Sequence, residues 1–214
     1  LTYTVHVNVD QITLKYGQST TAVRASGFTK GDYVKSVTAR NKNLVTVSNV
    51  SKNGTFKLTA KNRSGKTYVD INLKSGVSVA VMITVQKGKV STRYITNLKS
   101  TRIYKGKIVT LKPVLDPITS QDKVTYSTSN KNIATVNSKG VVTGKQVGTA
   151  KITVKAGSKK SVVTIKVMPK VKTTKLTGVP KTKTVNRGKT FTIKAVATPR
   201  NTDEKVTYRS SNKK

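Results

Sequence analysis

Residues 124–136, VTYSTSNKNIATV, alternate apolar and polar side chains around a short Asn-Lys-Asn turn. A period of two is typical of a β-strand that buries one face, and Asn favours turns because its side chain bonds nearby backbone groups. The turn returns in NKNLVTV at residues 41–47 and in part in VTYRSSNKK at residues 206–214. We therefore interpret it as a corner between strands, a fold signature rather than a binding loop.

The repeat extends beyond this turn. Residues 103–131 align without a gap to residues 185–213, 82 positions further on, and Pro117 faces Pro199. The first copy is more diverged. We predict three copies of one unit: a complete domain at residues 1–87, a second at 88–170, and the N-terminal part of an incomplete third at 171–214.

Within each copy, short alternating runs are separated by turn residues every ~8 to 12 positions, and no helical period occurs. This pattern predicts an all-β protein made of antiparallel β-sandwiches. The first strand is expected near residues 3–9. The linkers at residues 86–92 and 168–174 are short, so we expect the sandwiches to form an elongated array.

The order of motifs in the second copy is specific: an apolar residue before Gly-Lys at residues 103–107, a Leu-to-Pro strand at 111–117, then the run 124–154. This order resembles the bacterial immunoglobulin-like domain group 2, which occurs in tandem in intimin- and invasin-type adhesins and in Gram-positive surface proteins. The resemblance is close over residues 94–167. It implies immunoglobulin-like sandwiches in an extracellular protein, at the surface or wall of a Gram-positive bacterium.

Composition excludes several classes of protein. Hydrophobic residues make up 35% of the chain and Trp is missing, so each core must be small and aliphatic. Without cysteine, neither a disulfide nor a thiolate metal site can form. The longest apolar run, residues 77–85, is too short to span a bilayer, so we expect no membrane insertion. Because the third copy is incomplete, we expect a longer chain around this sequence.

An enzymatic role lacks the necessary residues. The single histidine, His6, lies in an alternating run, and no second His or Cys could complete a metal or acid-base site with it. We interpret His6 as an ordinary strand residue. The sequence predicts no catalytic residue and no cofactor, and it leaves the ligand-binding residues unknown.

The carboxylates are scattered, and no calcium-loop spacing occurs among them. Only Asp203 and Glu204 are adjacent, and we interpret that pair as a solvated turn rather than a metal site. A Lys-Asn cross-link catalysed by a buried acid is not expected, because Asp70 lies on the strand face opposite Val69. The seven acids are Asp10, Asp32, Asp70, Asp116, Asp122, Asp203 and Glu204.

The charge is the most unusual property of the chain, with 42 Lys and Arg against 7 acids and a net charge of +35. Such a surface attracts polyanions, for which teichoic acids, host glycans and extracellular DNA are candidates. Sequence-specific nucleic-acid binding is not expected, because most cations are Lys and no aromatic platform occurs. The same charge would also keep tandem sandwiches soluble, and both explanations stay open.

These observations favour a non-catalytic, extracellular segment that acts as a spacer and adhesion module. The loops at residues 49–53 and 119–123 are candidate contacts with glycans or anionic polymers. One alternative is an accessory region, binding carbohydrate or cell wall, in a secreted glycan-active enzyme. Another is a decoration module of a phage virion.

Overall fold

The computed structural model describes residues 2–212, which form twenty strands and, within that range, no helix that could cross a membrane. The first nine strands are β1 (His6–Val7), β2 (Gln11–Lys15), β3 (Ser19–Thr20), β4 (Ala25–Ser26), β5 (Val34–Ala39), β6 (Val45–Ser48), β7 (Lys57–Ala60), β8 (Gly65–Leu73) and β9 (Ser78–Gln86). The next nine are β10 (Tyr94–Thr96), β11 (Thr101–Tyr104), β12 (Ile108–Thr110), β13 (Val114–Asp116), β14 (Val124–Thr128), β15 (Ala134–Val136), β16 (Val141–Gly144), β17 (Gly148–Ala156) and β18 (Lys159–Met168). The last two are β19 (Lys175–Thr177) and β20 (Val196–Thr198).

The sheets of the first nine strands recur in the next nine. The orders β2-β9-β8-β5, β3-β7-β6 and β1-β4 are followed by β11-β18-β17-β14, β12-β16-β15 and β10-β13. In both four-stranded sheets one edge strand runs parallel to its neighbour, β2 to β9 and β11 to β18. The prediction of an all-β chain built from immunoglobulin-like sandwiches is confirmed.

By its internal contacts the chain divides into two compact units. Unit 1 comprises Leu1–Leu98, Lys112–Thr125 and Val154–Ser161, and unit 2 comprises Lys99–Leu111, Tyr126–Thr153 and Val162–Lys214. The predicted domain boundaries after residues 87 and 170 stay a prediction.

Alternating burial along the long hairpin strands explains why these sequences form sandwiches. In β8, Val69 and Ile71 are fully buried, while the alternate residues Tyr68 and Asp70 face outward. β17 repeats the arrangement with Ala150, Ile152 and Val154 inside. Each such Val or Ile side chain contributes about 1.5 to 3 kcal/mol when it leaves water. A shift of one residue would reverse both faces, so the pattern also determines the register.

The core of unit 1 is aliphatic apart from one buried aromatic ring. Phe56, Leu14 and Leu58 are among its largest side chains and are at most 2% exposed. Ile118, which follows β13, packs against the same core. Residues beyond the first nine strands therefore contribute to the packing of unit 1.

In unit 2, Gly144 marks a close approach between strands. A Cβ built there would lie 3.0 Å from Cγ1 of Val167 and 3.1 Å from Cδ1 of Ile103. Both of those side chains are buried. The missing side chain at position 144 therefore lets two core residues pack onto the backbone of β16.

The first strand is shorter than the predicted residues 3–9, because β1 contains only His6–Val7. Thr4 bonds a loop instead of a strand: its N–H donates to Oγ1 of Thr29 at 3.1 Å and its hydroxyl to the Gly27 carbonyl at 2.8 Å. Hydrogen bonds to a loop 23 to 25 residues further along the chain here replace the ladder that the alternation predicted.

We predict that Gly54→Ala destabilises the protein more than Gly76→Ala. Both glycines have a φ of +91°, so either substitution adds backbone strain of ~1 kcal/mol or more. Only at Gly54 would the new Cβ also overlap the carbonyl oxygen of Ala25, whereas nothing lies within 4 Å at Gly76. Overlap with fixed backbone adds ~1 to 3 kcal/mol.

The measurement is urea unfolding followed by circular dichroism. Equal losses in the free energy of unfolding for the two variants would contradict the packing of Gly54 against Ala25.

Candidate functional site

Cations far outnumber the groups that could neutralise them. Seven carboxylates face 42 Lys and Arg, so at least 35 cations have no carboxylate of their own. Such an excess produces a positive potential over much of the surface. A groove lined by several cations is therefore the most favourable place on this chain for an anionic ligand.

One such groove lies beside Tyr33 on the first sandwich, and we call it the Tyr33 groove. It is an open cleft of about 540 Å³ between the start of β5 and the loop at residues 49–53. Its size is within the usual range of small-ligand sites. Polar, charged and apolar side chains line it together, among them Tyr33, Lys35, Ser36, Val50 and Lys52.

Two lysines from different segments meet at the Tyr33 ring. Nζ of Lys52 lies 4.9 Å from the ring centroid, and Nζ of Lys74 lies 5.6 Å from it. Backbone bonds hold both segments there: Val34 N–H donates to the Lys52 carbonyl at 3.2 Å, and Lys74 N–H to the Tyr33 carbonyl at 3.0 Å. A ring face attracts a cation, so Tyr33 brings together Lys52, which lines the groove, and Lys74, which lies beside it.

Asp32 fixes the backbone next to this ring. Its Oδ1 accepts hydrogen bonds from Tyr33 N–H (3.0 Å) and Ser75 N–H (3.1 Å), and its Oδ2 accepts one from the Ser75 hydroxyl (2.6 Å). Desolvation raises the pKa of Asp32, but these bonds and the charge of Lys74 outweigh it and lower the pKa below its ordinary value. Asp32 therefore stays ionised and fixes Ser75, the residue that follows Lys74.

The loop at residues 49–53 is held in shape by its own hydrogen bonds. Ser51 N–H donates to the Thr55 carbonyl at 2.9 Å, and Gly54 N–H donates back to the Ser51 carbonyl at 3.1 Å. Asn53 Oδ1 accepts from Thr55 N–H at 3.1 Å. The sequence predicted this loop as a contact, and the structure places Lys52 at the groove.

The loop at residues 119–123, the other predicted contact, is packed within unit 1 at Thr119, while Gln121 and Lys123 are exposed. Thr119 is 4% exposed, and its hydroxyl donates to the Thr13 carbonyl. Its own carbonyl accepts a hydrogen bond from Nε2 of Gln18 at 2.9 Å. Thr119 is consequently buried in protein contacts and does not offer its side chain to a ligand.

Asp122 in the same loop ties down the preceding linker. Its Oδ2 accepts a hydrogen bond from Thr92 N–H at 2.7 Å, and its Oδ1 pairs with Nζ of Lys89 at 2.5 Å. The side chain of Asp122 is 4% exposed. The bond from Lys89, followed by that from Thr92, lowers the pKa of Asp122 to about 2.

Asp203 and Glu204 bind backbone in the same way in unit 2. Asp203 accepts from Val171 N–H at 3.0 Å and pairs with Nζ of Lys107 at 2.9 Å, while Glu204 accepts from Thr173 N–H at 2.7 Å. These contacts lower the pKa of both carboxyls, chiefly through Lys107 for Asp203 and through Thr173 for Glu204. The interpretation as a merely solvated turn missed this structural role.

The other residues considered as candidates lie exposed or form ion pairs. His6 is exposed on β1, and residues 2–212 contain no group of three His, Asp or Glu side chains that could hold a metal. Asp70 receives two hydrogen bonds from Arg40, at 2.7 and 2.8 Å. Asp116 pairs with Arg93 at 3.5 Å.

Comparison with known families identifies the middle of the chain. Residues 92–167 match the bacterial Ig-like domain (group 2) family. The matched segment contains strands β10 to β17 and all but the last residue of β18, which together form the second set of sheets. The resemblance expected from the motif order is thus confirmed for this region.

Individual proteins are similar over smaller or more distant stretches. Kappa-carrageenase from Pseudoalteromonas carrageenovora is 55% identical over 56 residues, which span 26% of this chain and only 14% of the enzyme. A solved structure of the S-layer protein SbsC, domains 5–6, has a TM-score of 0.40 at 21% identity and covers 78% of this chain and 97% of its own. Cadherin domains 1–4 of protocadherin gamma B7 give a TM-score of 0.29 at 14% identity, covering 82% and 55%.

We predict that Lys89→Gln raises the pKa of Asp122 from about 2 toward the ordinary value of 3.8. A carboxyl with a lowered pKa stabilises the fold above its unfolded pKa, and this contribution is lost as the pH falls toward 2. The variant should therefore lose less stability on acidification than the parent chain. The measurement is a carbon NMR titration of the Asp122 carboxyl, combined with thermal melts between pH 5 and pH 2.

Lys87→Gln is the matched control, since it removes one positive charge from the same linker. If both variants moved the Asp122 titration equally, the shift would reflect net charge and not the contact with Lys89.

Proposed function

We propose that this chain is a non-catalytic, extracellular segment that binds anionic polysaccharide through its lysine surface, with the Tyr33 groove as one contact site. The observation that supports this most directly is the meeting of Lys52 and Lys74 at one aromatic ring. Sugar rings offer apolar C–H faces to aromatic side chains, and their sulfate or carboxylate substituents pair with ammonium groups. The groove lining includes an aromatic ring, Tyr33, and the ammonium group of Lys52, and Lys74 lies beside the same ring.

The type of cation also favours a polymer with dispersed charge. Lysine is a compact point charge on a flexible stem, whereas arginine recognises particular planar groups through two parallel hydrogen bonds. Binding would accordingly tolerate variation in the sugar sequence and would weaken as salt screens the charges. Solubility remains the competing explanation of the net charge of +35.

Two settings suit such a segment. The 56-residue match to a kappa-carrageenase favours an accessory region of a secreted glycan-active enzyme, in which the segment would hold polysaccharide near a catalytic domain. The immunoglobulin-like repeats favour a spacer and adhesion module at a bacterial surface. In either setting the chemistry at the Tyr33 groove is the same, and a Gram-positive origin stays a prediction.

We predict that the double variant Lys52→Gln/Lys74→Gln binds heparin and kappa-carrageenan about 30-fold more weakly than the parent chain. Each lysine near an anionic surface contributes ~1 kcal/mol, and two together give ~2 kcal/mol. The control is Lys15→Gln/Lys61→Gln, which removes the same charge from exposed positions elsewhere. Isothermal titration calorimetry at 150 mM salt measures the affinities, with neutral dextran as a second control.

The control variant should lose less than about threefold, the loss expected from a small change in delocalised charge. Two results would count against the proposal. One is equal weakening of the two double variants. The other is elution of the parent chain from heparin no later than an unrelated protein of equal net charge.

A further inference from the structure

A second type of groove occurs twice, at matching positions of the first two repeats. We call these the edge grooves. The first has a volume of about 330 Å³ and the second about 340 Å³. Lining residues of the first include Val37, Thr38, Ala39, Lys42, Thr46 and Val47. The second is lined by Tyr126, Ser127, Thr128, Lys131, Thr135 and Val136, each 89 positions after its counterpart.

The sheet topology explains why a groove forms at this place. β5 and β6 are the edge strands of the two facing sheets in the first sandwich, and β14 and β15 are their counterparts in the second. Each pair of edges lies on one side of its sandwich, where no further strand closes the gap between the sheets in the described chain. The groove is therefore a property of the fold, and the residues that line it are free to vary in chemistry.

The Asn-Lys-Asn turn places one lysine at each groove. Asn41 Oδ1 accepts a hydrogen bond from Asn43 N–H at 3.0 Å, and Asn130 Oδ1 accepts one from Asn132 N–H at 2.9 Å. This bond fixes the backbone on both sides of the lysine between them. Lys42 and Lys131 are exposed, so each presents an ammonium group to its groove from a rigid turn.

The lining of both edge grooves suits a charged sugar. The floor is apolar, with Val37 and Ala39 buried in the first and the half-buried ring of Tyr126 in the second. Hydroxyl groups of Thr and Ser lie along the walls, and neither lining includes a carboxylate. An apolar floor, hydroxyl partners and one cation match a sugar ring that bears a sulfate or carboxylate.

A second copy of the chain fits these grooves less well. Two chains of charge +35 repel each other, and lysine at a sheet edge opposes strand pairing between copies. A negatively charged ligand is instead attracted to both sites, which favours the polysaccharide over a further strand of this protein.

We infer that the two edge grooves are equivalent subsites for anionic polysaccharide, with Lys42 and Lys131 as the residues that contact its sulfate or carboxylate groups. This inference rests on the proposed function and adds two sites to the Tyr33 groove. Each of the first two repeats provides one edge groove with one lysine, so a protein with more such repeats would have more subsites. Affinity for a long polymer would then rise through multivalency rather than through one strong site.

The test is a titration of the full chain with a heparin tetrasaccharide, followed by amide chemical shifts in nitrogen-15 NMR. We expect shifts at residues 41–43 and 130–132 in addition to the Tyr33 groove. Lys42→Gln should weaken binding at the first edge groove about fivefold and leave the second groove unchanged. Lys131→Gln should weaken binding at the second groove only. Each variant removes ~1 kcal/mol of binding free energy from one site. Both lysines are exposed, so thermal melts should show that both variants fold normally.

The matched control is Lys61→Gln/Lys139→Gln, with the same loss of charge as the double variant Lys42→Gln/Lys131→Gln. Two results would overturn the edge subsites and leave the proposed function standing. One is a control that weakens binding at residues 41–43 and 130–132 as much as the double variant does. The other is a parent chain that shows shifts at the Tyr33 groove alone. If the tetrasaccharide and whole heparin produced no shifts anywhere, the proposed function itself would fail. Heparin that has been both desulfated and carboxyl-reduced carries neither anionic group and should leave the edge grooves unshifted, and equal shifts with it would refute the role of the ammonium groups.

Discussion

The packing of two sheets through alternating aliphatic side chains is the interaction on which the rest of this structure depends. The chain has no disulfide and no Trp, so residues such as Val69, Ile71, Ile152 and Val154 provide the main cohesion of their sandwiches. Their spacing of two assigns every second position to the core. The positions between them face water, where lysine costs little, and a chain of charge +35 can still fold.

The candidate binding surfaces follow from that division. Sheets of four and three strands leave edge strands on one side of a sandwich, and the loop before β5 and the loop after β6 meet near Tyr33. Polar and cationic residues at these places do not disturb the core. Recognition chemistry is thus confined to edges and loops, where it can change without loss of the fold.

Sequence alone predicted the fold, because apolar and polar residues alternate with a period of two. It also predicted the repeated turn, because NKNLVTV and NKNIATV are nearly identical. It could not predict the Tyr33 groove, because Tyr33, Lys52 and Lys74 come from three segments that only the sheet pairing brings together. For the same reason it assigned Thr119 to an exposed loop, although the Thr119 hydroxyl bonds the distant Thr13 carbonyl. Alternation also overestimated the first strand, because it does not register the bonds that Thr4 makes to a loop.

The carboxylate contacts of the linker have a mechanical consequence. Asp122 bonds Thr92 and Lys89 in the first connecting segment. Asp203 bonds Val171, and Glu204 bonds Thr173, in the second. Each segment is therefore bonded to a loop as well as continuing along the backbone. A pull along the backbone would have to rupture these bonds before the segments could straighten. Asp122, Asp203 and Glu204 would therefore resist extension of the chain, while its many lysines remain accessible to ligands.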